Sequence, residues 1–145
     1  MTKLKSIKGF SLFELLVTIS IIGILVSVAT VSFSSAQKKA RDARSVQDIG
    51  MIQKSAELYY SLNSFTYPLT TKFSAGEKWT APDGTTVILE SFPKPPKSTQ
   101  YYASSDGTTY CVCADVEDSN NGNATAANCT MSQTGGAYYC AKNQQ

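Results

Sequence analysis

Glu14 stands immediately before residues 15–33, a run of 19 positions without a charged side chain. An ionised carboxylate within a membrane-spanning helix costs on the order of 2.5–3.5 kcal/mol on insertion scales, so such a group normally marks a partner or a function. A cut between Gly9 and Phe10 would create that partner, an α-amino group one helical turn away with an ordinary pKa of about 8 and hence a largely positive charge. The second reactive set is Cys111, Cys113, Cys129 and Cys140, all in the last third of the chain. An even number in a small domain reads as two disulfides and places that part in an oxidising compartment. Cys111 and Cys113 alternate with apolar residues as in a strand, so both sulfurs point to one face and are not expected to bond each other. Of the three pairings we expect the nested one, Cys113 with Cys129 and Cys111 with Cys140. The gaps of 1, 15 and 10 residues and the lack of any histidine disfavour a zinc site.

No catalytic constellation accompanies these residues: there is no histidine and no glycine-rich phosphate loop, so an enzyme is not expected. The net charge of +2 comes from 13 basic and 11 acidic residues, and three of the basic ones are Lys3, Lys5 and Lys8. Beyond Gly9 the chain is nearly neutral, which argues against general nucleic-acid binding through phosphates.

Residues 15–33 reach roughly 28 Å as a helix, close to the hydrocarbon thickness of a bilayer. Many of them are β-branched, and Gly23 and Ser27 add flexibility, so this helix should be loosest near Gly23. Nothing breaks the helix at Ser34, and Ala36, Ala40, Ala43, Val46, Ile49, Ile52, Ala56 and Tyr59 recur at intervals of three or four. One helix from Phe10 to about Leu62 is expected, its second half apolar on one face. Lys38 with Asp42 and Arg44 with Asp48 read as exposed i,i+4 pairs on a solvated face. Asn63 to Pro68 ends the helix. Short strands are expected at residues 85–89, 100–103, 108–116 and 137–141, after turn signals at Asp83-Gly84, Asp106-Gly107 and Gly135-Gly136. The fold class is therefore α+β: a long N-terminal α-helix packed on a small antiparallel β-sheet, with a disulfide-closed C-terminal loop. Trp79, Phe92 and the tyrosines should fill the interface. Residues 92–97, Phe-Pro-Lys-Pro-Pro-Lys, read as a stiff extended connector. Residues 115–128 read as a polar loop, and its Asn123 and Asn128 sequons are common tripeptides to which no glycan is assigned.

Gly9, Phe10 and Glu14, with the uncharged run behind them, resemble the processing and methylation motif of type IV prepilins and type II secretion pseudopilins. The resemblance is tight over about the first 35 residues and looser through the following helix. The stretch from Asp42 to Pro68, with Tyr59-Tyr60 and Tyr67-Pro68, is similar to the corresponding part of the major pseudopilins. It implies a leader, residues 1–9, removed by an aspartyl prepilin peptidase; a hydrophobic transmembrane and polymerisation helix, residues 10–33; and a globular domain, residues 34–145, comprising a helix at 34–62 and loops and sheet at 63–145. It also implies N-methylation of Phe10, a contact of Glu14 with a neighbour's Phe10 amine, a membrane assembly platform and a cytoplasmic ATPase. Family members often carry a proline late in the apolar segment, whereas residues 28–33 have none.

The expected function is a structural subunit of a type IV pilus or pilus-like filament. It would rest in the cytoplasmic membrane with its C-terminal domain outside, its partners being lipid and then copies of itself in an extracellular or periplasmic filament. The alternatives are a low-copy minor pilin that binds DNA or a host surface, and a secretion pseudopilin. No cofactor is expected, although Asp115, Glu117, Asp118, Asn120 and Asn121 carry oxygens suited to calcium and the resembled pseudopilins hold calcium in this loop. A secretory signal cut after Ser34-Ser35-Ala36 and an unprocessed anchor are competing readings of the N-terminus; secretory cores usually run about 7–15 residues and rarely carry a glutamate, and the anchor leaves Glu14 unexplained.

Overall fold

The computed structural model describes residues 9–70 and 73–144; the leader expected at residues 1–9 lies outside them except for Gly9. Among the described residues one α-helix, α1 (Leu12–Leu62), is followed by seven strands: β1 (Trp79–Thr80), β2 (Val87–Leu89), β3 (Tyr102–Ser105), β4 (Tyr110–Asp115), β5 (Ala124–Ala126), β6 (Thr130–Met131) and β7 (Tyr138–Lys142). Contacts divide the chain into two units, Met1–Gln37 and Lys38–Gln145.

In Met1–Gln37 every described side chain is exposed. Leu12, Phe13, Leu16, Ile21, Ile24 and Leu25 cover all sides of α1 and are half or more exposed. Lacking proline, the segment stays helical despite Gly23 and its β-branched content, because an apolar surround rewards a backbone that satisfies its own hydrogen bonds. Four of its hydroxyls do the same: Thr18 and Ser20 donate to the carbonyls of Leu15 and Leu16, each at 2.8 Å. Ser27 and Thr30 donate to Ile24 and Ser27 carbonyls at 2.7 and 2.9 Å. This helix is the one long and apolar enough, among the described residues, to cross a membrane.

In Lys38–Gln145 the later turns of α1 bury one face. Ile49, Ile52 and Ala56 meet Tyr67, Phe73, Trp79, Phe92, Tyr101, Tyr110 and Val112 in a single core. The rings pack mostly edge to face: Phe73 stands 5.0 Å from Trp79 and Tyr67 4.8 Å from Tyr110. The predicted aromatic filling is therefore present. The predicted stripe is correct only in its upper half. Ala36, Ala40 and Ala43 are exposed, whereas Asp42, Ser45 and Asp48 are buried. The buried positions 42, 45, 49, 52 and 56 still keep helical spacing, but at the lower turns the neighbour is a polar loop, so polar residues line the face.

The helix ends with Ser64 and Phe65 at φ 49° and 60°, and the Phe65 N–H returns to the Tyr60 carbonyl at 3.1 Å. Two antiparallel sheets follow, β1-β2 and the five-stranded β3-β4-β7-β5-β6. The four predicted strands are found with shifted ends, and β1, β5 and β6 are additional. Residues 115–128, read as a plain loop, contain β5 and a 3-10 turn at Ser119–Asn121. Two turns share one device. Asp83 accepts from the Thr85 and Thr86 N–H groups at 2.9 Å each, and Asp106 from those of Thr108 and Thr109 at 2.8 and 2.7 Å. The next residue, Gly84 or Gly107, takes φ of +71° or +90°, which glycine adopts without steric cost. These bonds hold both carboxylates at a pKa of about 2, the Thr86 hydroxyl leading at Asp83 and the Thr109 N–H at Asp106.

Candidate functional site

Gly9, Phe10 and Ser11 precede the helix in non-helical conformation, and Phe10 is 77% exposed. A Cβ placed on Gly9 would meet nothing within 4 Å among the described residues, so their packing does not require glycine there. Ser11 and Glu14 cap α1 reciprocally: the Ser11 hydroxyl accepts from the Phe13 N–H at 3.3 Å, and Glu14 Oε2 accepts from the Ser11 N–H at 2.9 Å. This is a variant of the capping box, with the hydroxyl on the second rather than the third helical N–H, legible in the Ser-x-x-Glu spacing but overlooked when Glu14 is read only as a charge awaiting an amine. The carboxylate thus has one local partner and sits where the helix dipole favours negative charge.

The second constellation lies within Lys38–Gln145. Asp42, 2% exposed, accepts from the Glu117 N–H at 2.8 Å, the Asp118 N–H at 3.0 Å and the Asn121 amide at 3.1 Å. Beside it Arg41 pairs with Glu117 at 2.6 Å. Burial raises the Asp42 pKa, but the donors from Glu117, Asn121 and Asp118, with Arg41, outweigh it and hold the carboxyl below its usual value. The expected Lys38–Asp42 surface pair is thus replaced by a clamp between helix and loop. Arg44 does approach Asp48, loosely at 3.9 Å, while Asp48 takes its closest bond from the buried Tyr101 hydroxyl at 2.7 Å. Further along, Glu57 accepts from the Tyr67 hydroxyl at 2.9 Å and the Gln144 N–H at 3.1 Å, tying the C-terminus to α1. Burial first, and the Glu57 carboxylate second, push the Tyr67 and Tyr110 hydroxyls up.

Nothing in a count of apolar positions could reveal this clamp, because both partners are polar. The available signal is the acidic pair Asp42 and Asp48 on the same face as Ile49 and Ile52.

Cys111 and Cys113 do share a face, their sulfurs 3.6 Å apart and unbonded to each other. The pairing differs from the nested expectation: Cys111 bonds Cys129 and Cys113 bonds Cys140. Register is the reason. β4 and β7 set Cys113 directly opposite Cys140 and Cys111 opposite Lys142, with the Cys113 and Cys140 Cα atoms 4.1 Å apart. Cys111 then reaches Cys129 in the turn between β5 and β6. A register slipped by two residues would keep the same faces and give the nested pairing, so the alternation alone could not choose.

The loop oxygens suggested for calcium do not converge. Glu117 is taken by Arg41, Asp118 caps the 3-10 turn through the Asn120 N–H at 3.0 Å, and Asn121 turns its amide nitrogen to Asp42. Asp115 sits on β4, against Tyr102. The residues present do not fit a calcium site, and Asp42 supplies the negative centre around which the loop is ordered. Asn123 is likewise occupied, exchanging hydrogen bonds with the Cys140 backbone at 2.7 and 2.9 Å.

Residues 4–30 match the prokaryotic N-terminal methylation motif, the signature of type IV pilins and pseudopilins. Neither the curated proteins nor the solved structures returned a match.

Proposed function

We propose that this chain, carrying the N-terminal methylation signature, is a structural subunit of a type IV pilus or pilus-like filament, cut between Gly9 and Phe10 and methylated on the new Phe10 amine. The observation that carries the reading is the junction at the start of α1: the matched motif leads into a helix whose apolar side chains are exposed on every side. An exposed surface of that kind needs lipid or neighbouring helices. In the proposed cycle it faces lipid in a membrane-anchored precursor and then equivalent helices in a filament core. The domain divisions at residues 9 and 33 belong to the same proposal.

Each site residue has a role. Gly9, unconstrained by packing among the described residues, is read by the peptidase, for which a small residue leaves the scissile bond accessible. Phe10 provides the amine. Glu14 exchanges the Ser11 N–H of its own chain for the Phe10 amine of a neighbour, a charge-assisted contact that sets axial register. The partners are copies of this chain, a prepilin peptidase and a membrane assembly platform driven by a cytoplasmic ATPase. The two disulfides fit a C-terminal domain that folds outside the cytoplasm.

Filaments sheared from cells and separated by mass test the proposal. A structural subunit dominates them, whereas recovery of this chain only at trace level would reassign it to a tip or binding role. Glu14→Ala should leave membrane insertion intact and sharply lower filament yield; an unchanged yield would remove the carboxylate from docking.

A further inference from the structure

We infer that Asn121 is a site of spontaneous deamidation, and that its conversion makes release of the clamped loop from α1 irreversible. This inference holds for the folded domain whatever the chain assembles into. Asn121-Gly122 is the one Asn-Gly pair in the sequence, and each member has a part in the docked loop. Asn121 donates its side-chain amide to the buried Asp42 carboxylate at 3.1 Å. Gly122 is required because a Cβ there would strike the backbone of Gly136 and Tyr138. The fold therefore installs a chemically labile dipeptide at the centre of its clamp.

The reaction needs only water. The Gly122 backbone nitrogen attacks the Asn121 side-chain carbonyl carbon, forming a C–N bond. The bond to Nδ2 breaks, and ammonia leaves with the proton lost by the backbone nitrogen. Water then opens the cyclic imide at either carbonyl to give aspartate or isoaspartate. The docked loop resists the first step, since Nδ2 is held by Asp42 at 3.1 Å and the Gly122 N–H points to the Ser119 carbonyl at 3.3 Å. Asn121 is itself exposed, so water is already at hand and only the held geometry of Nδ2 and the Gly122 N–H delays the first step. Conversion thus proceeds from the open loop, by local unfolding rather than global. Re-docking would then place a second carboxylate where Asp42 formerly had a donor, and like charges at a buried site repel. The loop stays released.

The full-length protein in detergent, held in mildly alkaline buffer and mapped by peptide mass spectrometry, should acquire the amide-to-acid mass change at Asn121 ahead of Asn63, Asn120, Asn123, Asn128 and Asn143. Arg41→Gln should accelerate conversion a few-fold, and Asp42→Ala by about tenfold, as loss of clamp bonds raises the open population. Should Asp42→Ala fail to fold, Asn121→Asp answers independently: it should abolish hydrogen-exchange protection at the Glu117 and Asp118 amides while the β4 amides stay protected. An intact Asn121 when the other asparagines have converted, a rate indifferent to Arg41→Gln, or full protection in Asn121→Asp would each overturn the inference.

Discussion

Two stretches of one helix obey opposite rules. Around Ile21 and Ile24 the apolar side chains are exposed on every side, and the few hydroxyls bond back to the helix's own carbonyls. Around Ile49 and Ile52 the isoleucines are wholly buried, and the polar Asp42 and Asp48 are buried with them. The first stretch is built for an apolar surround supplied by something else. The second makes its own interior and admits charge only where donors are already aimed. Hydrophobicity alone would rank the first as the better core, whereas partners decide which stretch stabilises the folded chain.

Assembly should respond most strongly to Glu14→Ala, which is expected to cut filament yield severely while leaving the thermal transition of the C-terminal domain unmoved. A lowered transition would show that Glu14 stabilises the domain and blur the contrast. Next in size, Ile52→Ala should destabilise the domain by about 2–5 kcal/mol in denaturant titration. Ile24→Ala should change it by less than about 0.5 kcal/mol. Equal effects would refute the contrast outright. Replacing Cys113 and Cys140 together by serine removes a link across 27 positions and should cost about 3–4 kcal/mol. Asp42→Ala should cost about 1–3 kcal/mol, because the Glu117 and Asp118 N–H groups lose their acceptor.

The smallest effect is acid sensitivity. The carboxyls of Asp42, Asp83 and Asp106 are all held below the usual 3.8. A depressed folded pKa means that the unfolded chain binds protons first, so the stabilisation is complete above about pH 4 and fades as pH falls toward 2. Near-ultraviolet circular dichroism should follow the loss. The domain should yield in that window while the helicity of residues 12–37 persists.

Much of this was legible from the residues. The continuity of α1 follows from the absence of proline between Leu12 and Leu62, and the hairpin turns follow from Asp83-Gly84 and Asp106-Gly107. The aromatic core follows from where Trp79, Phe92 and the tyrosines fall among the strands. What stayed hidden involves partners distant in sequence. Asp42 becomes a buried acceptor only because residues 117–121 fold back onto it, and the lower face of the helix turns away from Ala36, Ala40 and Ala43 for the same reason. The cysteine pairing depends on the register of β4 against β7, to which side-chain alternation is blind. The capping role of Glu14 was visible in Ser11-x-x-Glu14 and masked by the stronger signal of a charge before an apolar run.

The central claim is that the exposed apolar helix begins, in the working protein, at a newly made amine beside Glu14. Mass spectrometry of the N-terminal peptide from protein in its assembled form measures this directly. The account predicts a first residue of N-methylated Phe10. A peptide beginning at Met1 with Lys3, Lys5 and Lys8 attached, or at Gln37 with the helix removed, would contradict it.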